Sequence, residues 1–223
     1  MEELLVSIST DPVAQEGEDK IIAHAKEVLK SGADFLHCDI MDGKFVGRKT
    51  FDEKVVKVIN ENCLIPLDVH LMVKNPTVKI NNYSKAGANF LTVHYESFKN
   101  DKQLFKALEK IKKNNMLAGL SFKPKTPVVR IEKFLKFCDI VLVMSVEPGK
   151  SGQEFLEETF YKIQELKQTR NKRKFNFKIE VDGGITPEIS SKLKEAGADV
   201  VVSGSYFKNS TDKSGAVFML KKW

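Results

Sequence analysis

A boundary motif that returns along the chain constrains the fold more than any other feature. Gly32-Ala33-Asp34-Phe35, Gly87-Ala88-Asn89-Phe90 and Gly197-Ala198-Asp199-Val200 each put a glycine where a helix can end in the left-handed conformation, directly before residues suited to a strand. Phe137-Cys138-Asp139-Ile140 keeps the aspartate of this motif without its glycine. A second motif marks the opposite boundaries. Asp11-Pro12, Asn75-Pro76, Thr126-Pro127 and Thr186-Pro187 pair an N-cap residue with a proline suited to the first helical position, so helices are expected to begin there.

Between these marks lie short β-branched runs at 4–9, 35–39, 67–71, 90–93, 117–121, 140–144, 177–181 and 200–202. They alternate with amphipathic, Lys/Glu-rich stretches of helical period, such as 21–30 and 104–113, which is the pattern of parallel βαβ units. A two-strand unit recurring about four times predicts an α/β fold, a single-domain (β/α)8 TIM barrel with eight helices. The domain is expected to occupy residues 1–223, with no linker or low-complexity segment. An open, dinucleotide-binding sheet would carry G-x-G-x-x-G after its first strand, where this chain has Ser7-Ile8-Ser9-Thr10-Asp11.

Composition narrows the class. At 42% hydrophobic and 30% charged, 223 residues can bury a full-sized core. The net charge of +6 suits an anionic small molecule. The basic stretch Lys167, Arg170, Lys172, Arg173, Lys174 has no binding motif beside it and reads as a solvated helix C-terminus, so no nucleic-acid partner is expected. No apolar run reaches the roughly 20 residues of a membrane span, so no membrane partner is expected either. Cys38, Cys63 and Cys138 form no C-x-x-C, and the acidic start Met1-Glu2-Glu3 is unlike a signal peptide; a reducing, cytoplasmic location follows as the expectation.

Barrel enzymes build their sites at the C-terminal ends of the strands. Strand two ends His37-Cys38-Asp39-Ile40-Met41-Asp42-Gly43, which puts His37, Asp39 and Met41 on one face and Cys38 on the other. Strand three ends Asp68-Val69-His70-Leu71-Met72, and strand seven ends Glu180-Val181-Asp182-Gly183-Gly184. Two histidines and two to three aspartates from three strands thus share one rim, with nitrogen and oxygen donors that suit Zn²⁺, Fe²⁺, Mn²⁺ or Co²⁺. Three glycine-bearing loops follow strands six to eight: Pro148-Gly149-Lys150-Ser151-Gly152-Gln153, Asp182-Gly183-Gly184-Ile185 and Ser203-Gly204-Ser205. Loops after the last strands of such barrels commonly grip a phosphate through backbone N–H groups. Met41, Met72 and Met144 lie at strand ends around the rim, as core filler or as a soft apolar floor. His94 reads as a hydrogen-bonded rim residue, and His24 as an exposed helix residue.

The blocks His37 to Val46, Asp68 to Val73, Val143 to Gly149 and Glu180 to Ile185 resemble the signature segments of the ribulose-phosphate 3-epimerase family, in the family's order, over the span from Ser7 to Ser205. The resemblance implies one divalent metal ion, Zn²⁺ ahead of Fe²⁺, Mn²⁺ or Co²⁺, held by His37, Asp39, His70 and Asp182. Asp39 and Asp182 would be the acid/base pair. Ser7, His70, Met41, Met72, Met144 and Asp182 would contact the substrate, with Gly149, Lys150, Ser151, Gly152, Gly183, Gly184, Gly204 and Ser205 forming the phosphate grip. The reaction implied is epimerisation at C3 of a phosphorylated ketose, D-ribulose 5-phosphate to D-xylulose 5-phosphate, in a homo-oligomer. Two carboxyls on opposite faces exchange the C3 proton, and a metal stabilises the enediolate charge.

Two loops depart from the family pattern. Lys44-Phe45-Val46-Gly47-Arg48 stands where H-F-V-P-N is usual, which is expected to loosen a covering loop, and Gly149-Lys150-Ser151-Gly152-Gln153 stands where G-F-G-G-Q is usual. Lys150 is expected to reach the phosphate. The alternatives are a D-allulose-6-phosphate 3-epimerase using the same residues, or a non-catalytic sugar-phosphate-binding barrel. A related lyase would carry D-x-K-x-x-D on strand three, and Asp68-Val69-His70-Leu71-Met72-Val73 has no lysine.

Overall fold

Alternation along each strand decides the architecture. The computed structural model describes residues 3–222, so the ends of the expected 1–223 domain lie outside the described residues. Its strands are β1 (Leu5–Ser9), β2 (Phe35–Met41), β3 (Leu67–Met72), β4 (Phe90–His94), β5 (Leu117–Phe122), β6 (Ile140–Met144), β7 (Lys178–Asp182) and β8 (Val200–Ser203). All pair in parallel in chain order, and β8 returns to β1 to close the barrel.

The outward residues Val6, Ile8, Leu36, Cys38, Val69 and Val181 are fully buried in one apolar cluster with the surrounding helices. The inward set is different. Ser7, His37, Asp68, Thr92, Ser121 and Glu180 are all buried and polar. Barrel interiors are usually filled with Val, Ile and Leu, so this chain has placed its chemistry where packing normally sits.

The helices are α1 (Glu18–Lys30), α2 (Glu53–Asn62), α3 (Ile80–Lys85), α4 (Asp101–Lys113), α5 (Thr159–Arg173), α6 (Pro187–Ala196), α7 (Ser205–Asn209) and α8 (Lys213–Lys222). In α4, Leu104, Ala107, Leu108 and Ile111 recur at helical spacing and are buried, while the Asn100 side chain accepts from Gln103 N–H. Each fully buried Leu or Ile contributes about 1.5–3 kcal/mol, so a truncation such as Leu108→Ala should cost about 2–5 kcal/mol.

One-to-one alternation fails after β5. That connection holds two 3-10 segments, Val128–Arg130 and Glu132–Phe137, and no α-helix, while two helices follow β8. Pro124 and Pro127 lie early in the connection, remove N–H donors and disfavour the α-conformation in the residues before them. Of the four residue–proline pairs only Thr186-Pro187 opens an α-helix with a side-chain cap. Asp11-Pro12 and Asn75-Pro76 lead 3-10 turns, and Pro127 precedes a third.

The Gly-Ala-Asx boundaries behave as expected, with φ of 81°, 91° and 116° at Gly32, Gly87 and Gly197. The Asx side chains have a further task. Asp34, Asn89, Asp139 and Asp199 each accept the backbone N–H of a residue on the preceding strand: Val6, Leu67, Ala118 and Ile179, at 2.7–2.8 Å. Each returns its own N–H to that same residue's carbonyl at 2.8–3.0 Å. This clamp sets strand register, and it explains why Asp139 persists where the glycine does not.

Candidate active site at the barrel mouth

Register brings the two histidine strips level. Across β2 and β3, His37 stands opposite Asp68, Asp39 opposite His70 and Met41 opposite Met72. Across β6 and β7, Met144 stands opposite Asp182. Donor atoms of His37, Asp39, His70 and Asp182 all fall within 4.8 Å of one another.

These residues fit a divalent cation. His37 is fully buried, and its Nε2 has no hydrogen-bond partner although it lies 3.3 Å from Asp39 Oδ1. Its Nδ1 is held at 2.5 Å by Asp68 Oδ2, the carboxylate–histidine support that metal-ligating imidazoles characteristically have. His70 Nδ1 lies 3.2 Å from the same Asp39 oxygen. Two nitrogens and two carboxylates gathered around one point form a donor set suited to a borderline ion.

The charges are asymmetric. Burial favours a neutral Asp39, but the His37 charge beside it outweighs that and holds the carboxyl far below the ordinary range. Asp182 is pushed up to about 7, first by burial and then by the Asp39 charge. Burial opposes a charge on His37, yet Asp68 and Asp39 together raise it well above 6.5. Deeper still, Glu180 is raised by burial and by Asp68. Near neutral pH one carboxylate of the pair is therefore ionised and the other is poised to carry a proton.

Above these groups opens a small cavity at the barrel mouth. Met41, Met72, Met144, Asp39 and Asp182 line it, together with Gly149, Lys150, Ser151, Gly152, Gly183, Gly184, Gly204 and Ser205. Gly184 has φ +65°, and a side chain there would come within 2.7 Å of Phe155 N, so close packing of this loop demands glycine. The Gln153 side chain donates to the Glu147 and Lys150 carbonyls at 2.7 Å, fastening the loop that carries Lys150.

Several expected placements change. Ser7 does not line the cavity; it is fully buried one layer down, with its hydroxyl 3.2 Å from Asp68 Oδ2. Ser9, two residues on along the same face, takes the cavity position and donates to Asp39 Oδ2 at 2.8 Å. Asp11 joins it in the lining. The alternation of β1 carried this signal, because Ser9 is that strand's last inward residue. His70 is fully buried and does not line the cavity, standing instead among the four candidate ligands. His24 is buried, not exposed, with Nε2 3.1 Å from the Ser9 carbonyl oxygen. Arg170 leaves the solvated basic stretch to pair with Asp199 at 2.5 Å.

The covering loop is tied down rather than loosened. Arg48 Nη1 donates to Asp11 Oδ1 at 2.6 Å, and Gly43 N–H reaches the Arg48 carbonyl at 3.0 Å. Val46 packs so closely on Gly149 that a side chain there would meet it at 2.9 Å, joining the two departing loops over the cavity. His94, expected as a hydrogen-bonded rim residue, is hydrogen-bonded and fully buried: its Nε2 lies 2.8 Å from His70 Nε2 and its Nδ1 3.3 Å from Glu96 Oε2. Cys38, Cys63 and Cys138 are free and buried, and no helix among the described residues is long and apolar enough to cross a membrane.

A profile of the ribulose-phosphate 3 epimerase family matches residues 12–208. The ribulose-phosphate 3-epimerase of Chlamydia trachomatis is 39% identical over 201 residues, covering 88% of this chain and 85% of that protein. That of Bacillus subtilis is 38% identical, covering 86% and 88%. Among solved structures, a 3-hexulose-6-phosphate synthase superposes with a TM-score of 0.69 over 98% of both chains at 16% identity, a likeness of fold alone.

Proposed function

This chain belongs to the ribulose-phosphate 3-epimerase family, and from that premise we propose that it interconverts D-ribulose 5-phosphate and D-xylulose 5-phosphate. The observation that carries the reading is the pairing of a strongly acidic Asp39 with an Asp182 raised to about 7, both at the wall of one cavity.

His37, Asp39, His70 and Asp182 would hold one divalent ion, Zn²⁺ in first place. When bound, the ion would supply Lewis-acid neutralisation of the negative charge that develops as the C3 proton leaves. Asp39 takes the proton from C3 on one face, with Ser9 fixing the orientation of its carboxylate. Asp182 delivers a proton to the opposite face, and the two exchange roles in the reverse direction. Gly149, Lys150, Ser151, Gly152, Gly183, Gly184, Gly204 and Ser205 anchor the phosphate, and that remote binding energy holds C3 between the carboxyls. Met41, Met72 and Met144 keep bulk water from the reacting carbons. The protein works as a homo-oligomer in the reducing cytoplasm.

The test is C3 proton exchange with solvent deuterium, run side by side on ribulose 5-phosphate and allulose 6-phosphate with Zn²⁺, Fe²⁺, Mn²⁺ and Co²⁺. Faster exchange of the pentulose is expected. Preference for the hexulose would reassign the substrate, and tight binding without exchange would make the barrel a sensor.

A further inference from the structure

Behind the candidate ligand cluster runs a chain of polar contacts, from the buried His70 and His94 to the part-buried Glu96, that the proposed reaction does not use. His70 Nε2 lies 2.8 Å from His94 Nε2, and His94 Nδ1 lies 3.3 Å from Glu96 Oε2. The other oxygen, Glu96 Oε1, accepts the Lys123 backbone N–H at 2.9 Å and the Thr126 hydroxyl at 2.5 Å. The two rings stack at 26° with centroids 4.9 Å apart, and Phe45 covers His94 at 4.8 Å. Both histidines are fully buried.

Hydrogen counting fixes what this chain can do. Two neutral imidazoles carry two N–H hydrogens on four ring nitrogens, and the Nε2···Nε2 contact needs one of them. The remaining hydrogen sits at one end only, on His70 Nδ1 facing Asp39 or on His94 Nδ1 facing Glu96. Both facing carboxylates can only accept: Asp39 Oδ1 lies 3.2 Å from His70 Nδ1, and Glu96 Oε2 lies 3.3 Å from His94 Nδ1. Asp39 Oδ1 also faces the charged His37 ring at 3.3 Å, whereas His94 Nδ1 is the hydrogen-bond partner that Glu96 Oε2 has among the described residues. The Glu96 end therefore has the greater need of the hydrogen, which leaves His70 Nδ1 as a bare lone pair pointing at the candidate ligand cluster.

We propose that Glu96, acting through His94, is a positioning residue that sets the tautomer of His70 and so makes its Nδ1 a ligand. The inference rests on the metal reading above, but the tautomer can be read without metal.

Glu96→Gln is the discriminating variant. Lys123 N–H is a fixed backbone donor, so the amide oxygen must take the Oε1 position and the NH₂ group must face His94. His94 Nδ1 then has to accept, its hydrogen moves to Nε2, and His70 carries its hydrogen on Nδ1, directed into the cluster. The side chain keeps its shape and its anchors to Lys123 and Thr126, so the fold should survive.

Nitrogen-15 NMR of the metal-free protein should find hydrogen on His94 Nδ1 and His70 Nε2 in the wild type, and the reverse in Glu96→Gln. Zn²⁺ affinity, measured by competition with a chromophoric chelator, should fall about 10–100-fold in Glu96→Gln. In a His94→Phe background, which retains an aromatic ring but breaks the relay, Glu96→Gln should change affinity less than twofold. Wild-type hydrogen on His94 Nε2, or equal Zn²⁺ affinity in wild type and Glu96→Gln, would overturn the proposal. A wild type that binds no divalent ion would instead overturn the metal reading, and the NMR spectra would still decide the relay.

Discussion

Ser9 donates its hydroxyl hydrogen to Asp39 Oδ2 at 2.8 Å while accepting the Asp11 N–H at 2.9 Å. One carboxylate oxygen of Asp39 is thereby pinned, and the other is left facing His37 and His70. Hydrogen bonds to charged groups contribute about 1.5–3 kcal/mol. Ser9→Ala should therefore lower kcat about tenfold or more with little change in KM. Ser7→Ala, which removes only a contact to Asp68 one layer down, should leave kcat within about threefold by steady-state assay. Reversal of that order would return Ser7 to the substrate.

Asp39→Asn and Asp182→Asn should each reduce epimerisation by at least about 10³-fold, since each removes one of two proton-transfer groups worth 10²–10⁴ apiece. Circular dichroism and thermal unfolding should still report a folded barrel. Wild-type turnover in either variant would refute the two-carboxylate scheme.

Metal uptake should depend on pH in a definite direction. Asp182, raised to about 7 by burial and by Asp39, must lose its proton to become a ligand, and so must the raised His37. Affinity should climb by at least about tenfold per pH unit as pH rises toward 7, then more gently above 7, where Asp182 is already ionised and only the raised His37 still has a proton to lose. Below 7 calorimetry in buffers of different ionisation enthalpy should detect proton release. In the metal-free protein the native state keeps a proton on Asp182 that an unfolded chain releases near 3.8. Its contribution to stability is complete at low pH and is lost as pH rises through about 7. Asp182→Asn should flatten that part of the stability profile in urea titrations.

Lys150 lines the cavity from an exposed loop position. Lys150→Met should raise KM for the phosphorylated ketose about 3–10-fold, with the difference shrinking as salt is added. An unchanged KM at low ionic strength would remove Lys150 from the phosphate site.

Arg48 is about one-quarter exposed and pairs with the nearly buried Asp11. Arg48→Ala leaves that carboxylate without its cation at the cavity wall. The expected result is a lower Tm and faster proteolysis between β2 and α2. A melting curve identical to wild type would show that Val46 against Gly149 holds the loop alone.

Local chemistry already determined much of this protein. Period-two alternation placed His37, Asp39 and Met41 on one face of β2, and Gly-Ala-Asx boundaries marked where strands begin. Both are nearest-neighbour effects, so a one-dimensional reading captures them. Proline shows where such a reading stops. It predicts a tight start equally for an α-helix and for a 3-10 turn, as Thr186-Pro187 before one and Asn75-Pro76 before the other show.

What tertiary structure decided was depth and partnership. Ser7 and Ser9 are chemically identical and share a face, and barrel closure alone sets one at the cavity and the other beneath it. His24 reads as a surface helix residue until α1 packs it against the end of β1. Glu96 looks like any loop acid until β4 and the loop after β5 bring it within reach of His94, Lys123 and Thr126. These roles come from contacts between residues distant in the chain, whose strength depends on burial, and burial is a property of the assembled barrel rather than of any segment.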